Sequence, residues 1–154
     1  MRWLSVPLLV LSFSTATHAQ PFTFTAQTQV NTTVQAPVAN GKPVVANFLT
    51  GRVDLTYADG RKTSANVSCA NWTAPRDSNF SLFGACVATE SNGDKFSVTL
   101  SCTLVDEANR RSNCWGFLTG MPGQYEGRTG AVSWRSQVSA DGKMASATGS
   151  GQWN

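Results

Sequence analysis

The chain has 154 residues, with 12 lysines and arginines against 9 aspartates and glutamates, one histidine and a formal net charge of +3. That length suits one domain and is too short for two. So weak a basic balance, with no run longer than Arg110-Arg111, argues against nucleic acid or an anionic membrane as the main partner.

The chain opens like an export signal. Arg2 supplies a positive start, Trp3 to Phe13 is apolar except for Ser5, Pro7 and Ser12, and Thr17-His18-Ala19 places small residues at −3 and −1 of a cleavage site. The expectation is a signal peptide over 1–19 and a single domain over 20–154, secreted or periplasmic. The apolar run falls far short of the ~20 residues that cross a bilayer, so no membrane span is expected. Cleavage removes Arg2 and His18, leaving 11 basic residues against 9 acidic ones and no histidine. Such a chain has no Ser-His-Asp or Cys-His machinery and no imidazole ligand, which removes most hydrolases and nearly every zinc enzyme. No metal and no cofactor are expected.

Period-two alternation dominates the chain beyond residue 19. Phe22, Phe24, Ala26 and Thr28 alternate with polar residues, and a Pro- and Gly-containing loop is expected from Asn31 to Pro43. Arg52 to Tyr57 alternates cleanly and ends at Ala58-Asp59-Gly60, where glycine supplies the positive φ of a tight hairpin. Lys62 to Thr73 and Phe80 to Thr89 read as strands around a polar turn at Arg76-Asp77-Ser78. Asn92-Gly93-Asp94 turns the chain into Phe96 to Leu104. After the polar run DEANRRSN come Cys114 to Leu118, a Gly-rich bend, Ala131 to Ala140, and an Asp141-Gly142 hairpin into Met144 to Trp153. Asp59, Asp94 and Asp141 each lie beside a turn glycine and read as turn formers.

Cys69, Cys86, Cys102 and Cys114 lack the CxxC spacing of metal or redox sites, and an even number in an exported chain reads as two disulfides. Cys69–Cys86 and Cys102–Cys114 each straddle a turn almost symmetrically, which places the partners on neighbouring strands. Cys86–Cys102, around the Asn92-Gly93-Asp94 turn, is the alternative.

No window of helical period survives after residue 19. The fold expected is all-β: an eight-stranded antiparallel meander closed into a barrel, with a two-sheet sandwich as the alternative. Phe96, Val98, Leu100 and Leu104 share one face of their strand, as do Val132, Trp134 and Val138, and Val53, Leu55 and Tyr57. These faces form the expected interior, just wide enough for packed side chains or one small ligand.

The segments GDKF, CWGFLTGMPGQYEGRTGAVSW and DGKMASATGSGQW carry a more specific pattern: a strand ending in G-x-Y-x-G-x-T-G, a second strand, a DG hairpin and a Gly-rich closing strand. In this the chain resembles the allene oxide cyclase-like and dirigent-like barrel superfamily, and looks most similar to its small exported bacterial members of unassigned activity. The resemblance covers about Gly93 to Trp153 and rests on glycines and aromatics, which specify backbone shape. It implies a barrel that binds a lipophilic molecule or steers cyclisation of a reactive one, with no cofactor. It also makes an oligomer an option, since relatives associate.

Candidate site residues come from the alternation and the resemblance together. Glu126, between Tyr125 and Gly127 and close to Arg128, could orient a polar ligand end or accept a proton at a barrel mouth, with Tyr125 as a second handle; the competing reading is a solvated ion pair. Trp134, Trp115, Tyr57, Arg128 and Arg135 are the candidate ligand contacts, against ordinary packing as the alternative. Arg52 and Asp54 either face solvent or form a rim patch with Arg135. Trp153 reads as a pin for the last strand. Asn31, Asn66, Asn71 and Asn79 begin N-x-S/T sequons, meaningful only in a eukaryotic source. The leading expectation is an exported binder of a small hydrophobic molecule. A cofactor-free cyclase or isomerase and a protein-interaction or inhibitor module are the alternatives.

Overall fold

A computed structural model describes residues 19–37, 43–73 and 81–154. The expected signal residues 1–18, the Arg76-Asp77-Ser78 turn, Asn79 and Phe80 lie outside the described residues. Eight strands follow one another: β1 (Gln20–Ala36), β2 (Val44–Tyr57), β3 (Lys62–Thr73), β4 (Leu82–Glu90), β5 (Lys95–Asp106), β6 (Arg111–Gly120), β7 (Thr129–Val138) and β8 (Met144–Trp153). Each pairs antiparallel with the next, and β8 pairs with β1, so the meander is a closed barrel rather than a sandwich. Closure leaves no row of unpaired backbone groups at an edge. Among the described residues no helix is long and apolar enough to cross a membrane.

The period-two pattern maps onto the wall of the barrel. Val53, Leu55 and Tyr57 on β2, Phe96 on β5, Leu118 on β6 and Val132 on β7 point inward and are buried, while their chain neighbours face solvent. Burying a side chain of this size contributes about 1.5–3 kcal/mol. The same periodicity ties Cys69 to Cys86 across β3 and β4, and Cys102 to Cys114 across β5 and β6, in direct register. Each bridge closes a short loop and contributes on the order of 3 kcal/mol through the unfolded chain. Two disulfides fit a non-reducing compartment.

The first hairpin differs from expectation. β1 continues through Asn31 to Ala36 past a register shift between Val30 and Thr32, and β2 begins at Val44, so the first six residues of the expected loop are strand, while 38–42 lie outside the described residues. Polar side chains tie the extension together: Asn31 Nδ2 donates to Thr50 Oγ1 at 2.8 Å and Thr33 Oγ1 to Asn47 Oδ1 at 2.8 Å. Cross-strand Thr and Asn pairs support pairing without an apolar face, and hydropathy does not register them. Leu104 also differs: it falls at the β5 register shift and is exposed rather than core.

The loop after β6 folds back over the end of the barrel. Gly120 permits this, because a Cβ there would collide with the backbone carbonyl of Tyr125. Its N–H donates to the Arg128 carbonyl at 2.9 Å, closing the loop on itself. The effect is to tuck Tyr125 inside the barrel mouth, where it is 1% exposed.

Candidate functional site

The two halves of the barrel interior differ in kind. At the end where β2, β4, β6 and β8 finish, Tyr57, Glu90 and Trp153 converge with Phe96 from the start of β5 and with Tyr125 from the folded-back loop. Glu90 is a buried carboxylate, 4% exposed. Its Oε1 accepts the Tyr125 hydroxyl at 2.8 Å and the Thr63 hydroxyl at 3.0 Å, and its Oε2 accepts Gln124 Nε2 at 3.0 Å. Tyr57 and Tyr125 hydroxyls lie 2.8 Å apart. Since the Tyr125 proton goes to Glu90, Tyr57 is the donor in that second bond. A buried charge is tolerable only with its acceptor sites filled in this way.

Aromatic packing locks the network in place. Trp153 stacks on Tyr125 with centroids 4.8 Å apart, and Phe96 presents its edge to both at 5.4 Å. The Arg61 guanidinium lies 3.7 Å over the Tyr57 ring, and Arg128 lies 5.5 Å over Trp153 while Nη1 donates to Gln20 Oε1 at 3.0 Å. Burial first, then the hydrogen bonds with Tyr57 and Glu90, push the Tyr125 phenol far above its ordinary range, so it stays protonated and remains a donor. Trp153 Nε1 is the one buried side-chain polar atom without a hydrogen-bond partner among the described residues. This end is a sealed plug, with its carboxylate fully engaged by the barrel's own groups.

The other half is lined differently. Phe24, Ala26, Val67, Val98 and Trp134 point inward and rest against the sealed core, yet remain only half-buried. Phe24 meets Trp134 edge-on at 6.3 Å. Beyond them the inward positions of β1, β7 and β8 include Thr28, Val30, Ser136, Val138, Ala145 and Ala147, all half-buried, while Leu49 and the Cys102–Cys114 bridge on β2, β5 and β6 are buried. On this side the lumen is lined by smaller side chains than those of the plug.

The expected site residues therefore divide. Trp134 lies in the open half of the lumen, whereas Tyr57 and Tyr125 lie in the plug and Arg128 roofs it. Trp115 corrects the expectation of a lumen aromatic: it faces outward on β6, 43% exposed, and packs edge-on against Phe117 at 5.7 Å. The reason is parity, since the inward positions of β6 are those of Cys114, Gly116 and Leu118. Arg135 likewise faces solvent on β7, opposite Asn113 and Thr148. Glu126 is exposed in the turn outside the plug and reaches no lumen wall. Arg52 and Asp54 face outward as an exposed ion pair at 2.9 Å, so the rim patch does not form.

The turn aspartates act as expected. Asp59 accepts the Arg61 N–H at 2.9 Å, and Asp141 accepts the Ser139 hydroxyl and the Lys143 N–H. The Ser139 hydroxyl, followed by that N–H, holds the Asp141 carboxyl below its usual range. Asp94 does more, accepting the Gln124 N–H at 3.0 Å and so binding the plug loop to the β4–β5 hairpin. Of the sequon residues, Asn71 turns inward, where its Oδ1 accepts Asn47 Nδ2 at 3.3 Å.

Glu90 itself is absent from the sequence-based candidates. Its signal was parity: Gly84, Cys86, Ala88 and Glu90 share the inward face of β4. Among the described residues no group of three or more His, Cys, Asp or Glu is placed to hold a metal ion. No protein-family model and no curated protein matches the chain.

Proposed function

We propose that this protein is a binder, exported to the periplasm or beyond the cell, that takes one small lipophilic or aromatic molecule into the open half of its barrel. One observation carries the reading. Inward-facing apolar side chains at Phe24, Val67, Val98 and Trp134 keep solvent contact while those around Tyr57 and Trp153 are almost wholly buried. Concave apolar surface with few convergent polar groups suits such a ligand. Trp134 and Phe24 offer it aromatic faces, Thr28 and Ser136 supply hydroxyls, and the plug makes the lumen a blind cup with one entrance.

The allene oxide cyclase-like resemblance supports the same reading, because an eight-stranded closed meander is the architecture it implies. Its catalytic branch is disfavoured here. Glu126 lies outside the barrel, and Tyr125 and Glu90 already satisfy one another.

Native mass spectrometry of the protein, purified gently from its own host, tests the proposal. The expected result is an extra mass lost on denaturation, or, for empty protein, stoichiometric uptake of the hydrophobic dye N-phenylnaphthylamine. Empty protein that takes up no dye contradicts it.

A further inference from the structure

The outer wall holds a second surface that the lumen reading leaves unused. A groove of about 720 Å³ runs across β6, β7, β8 and β1 on the outside of the barrel. Trp115 and Phe117 form its wall, and Ser133, Ser150, Thr23 and Gln152 furnish hydroxyl and amide groups along its floor. In register, Trp115 lies opposite Ser133, Ser133 opposite Ser150, and Ser150 opposite Thr23, so the groove follows one rung of the ladder. Three strand spacings make it roughly 14 Å long.

We propose that this groove binds a neutral polysaccharide chain. Charge is the first reason. None of the residues bounding it is an aspartate, glutamate, lysine, arginine or histidine, whereas two other grooves contain Arg110 in one and Asp106, Arg111 and Arg135 in the other. An anionic or cationic polymer finds no counter-charge in it, and a neutral glycan needs none. The chemistry is the second. Exposed aromatic rings stack on the apolar faces of sugar rings, and serine, threonine and glutamine side chains match sugar hydroxyls as both donors and acceptors.

The competing occupants fit less well. A peptide cannot add as a strand, because the closed barrel has no edge. Trp115 and Phe117 expose 43% and 59% of their surfaces. That is on the order of 200 Å² of aromatic surface, against the ~800 Å² per partner of a stable protein interface. A second copy of the chain would gain little from the groove alone; exposed Phe48, Trp72 and Val87 extend the apolar wall beyond it on β2, β3 and β4, and sedimentation tests that occupant directly.

Affinity electrophoresis of the folded protein through gels containing cellulose ether, xylan, soluble chitin or β-glucan tests this. The expected result is retardation by at least one neutral glycan, insensitive to salt, and none by polygalacturonate. Trp115→Ala/Phe117→Ala should weaken it at least tenfold. Ser133→Arg, which fills the floor without touching the aromatics or the core, should do the same while circular dichroism stays unchanged. Retardation by no neutral glycan, retardation unchanged in both variants, or a self-association in sedimentation that both variants abolish would each overturn the proposal.

Discussion

Strands that seal one end of this barrel with large aromatics line the other with smaller side chains. β8 ends on Trp153, fully buried, and begins with Ala145 and Ala147 facing inward. β7 runs from buried Val132 to half-buried Ser136 and Val138. Apart from the register shifts after Val30 and Leu104 the strands pair regularly, so the difference lies chiefly in the volume and hydrogen-bonding capacity of the inward residues. Large aromatics with polar tips fill and cross-link one mouth; smaller aliphatic and hydroxyl side chains and the two disulfides line the other. An eight-stranded barrel is narrow enough for that choice alone to decide whether it encloses a core or a cup.

Breaking the plug should have the largest effect. Glu90→Ala leaves the buried Tyr125 hydroxyl without its carboxylate acceptor, while Thr63 and Gln124 keep access to water, and is expected to cost about 3 kcal/mol. In a thermal melt followed by circular dichroism that is a fall of roughly 10 °C or more. Glu90→Gln keeps the shape and one acceptor oxygen and should lose less. A melt of Glu90→Ala within a few degrees of the parent would show that the network does not hold this end.

Next comes over-packing. Ala88 is 1% exposed in the closed half, and Ala88→Phe should cost about 1–3 kcal/mol by chemical denaturation. The alkaline response is the next in size. An unfolded tyrosine loses its proton near pH 10, while Tyr125 keeps its own in the fold, so the folded state holds more protons above that pH. Stability contributed by Tyr125 is fully present below about pH 10 and is lost above it at about 1.4 kcal/mol per pH unit. Tyr125→Phe should be less stable at neutral pH by roughly 1 kcal/mol and lack that part of the alkaline slope. Equal slopes in the two proteins would place the Tyr125 proton elsewhere.

The smallest effect on stability is expected at the open end, where it is most telling. Ala147→Phe puts a ring into that mouth and should change stability by no more than about 0.5 kcal/mol. It should nonetheless weaken dye uptake at least tenfold. A loss of stability as large as that of Ala88→Phe would mean that the two halves are packed alike.

The architecture was legible in the chain because alternation, turn glycines and the cysteine spacings all specify the same pairing; both disulfides and the inward faces of β2, β5 and β7 derive from them. The extended first hairpin was not, since its pairing is carried by Thr and Asn side chains that look like loop. The site was legible only in part. Trp134 faces inward as its alternation with Val132 indicates, whereas residue type alone puts Trp115 in the lumen, against the parity of Cys114 and Gly116. Glu90 went unmarked because a lone carboxylate before a turn resembles a solvated strand end. What buries it is Tyr125, brought back across the barrel mouth by a loop whose path depends on Gly120 and no hydropathy pattern.

The central claim, one sealed end and one receptive end, is tested most directly by following the tryptophan indole N–H signals of isotope-labelled protein during titration with N-phenylnaphthylamine. A saturable shift of Trp134, with Trp153 unmoved, is the result predicted. Shifts confined to Trp72 and Trp115 on the outer wall, or a Trp153 signal that moves with the dye, would contradict it.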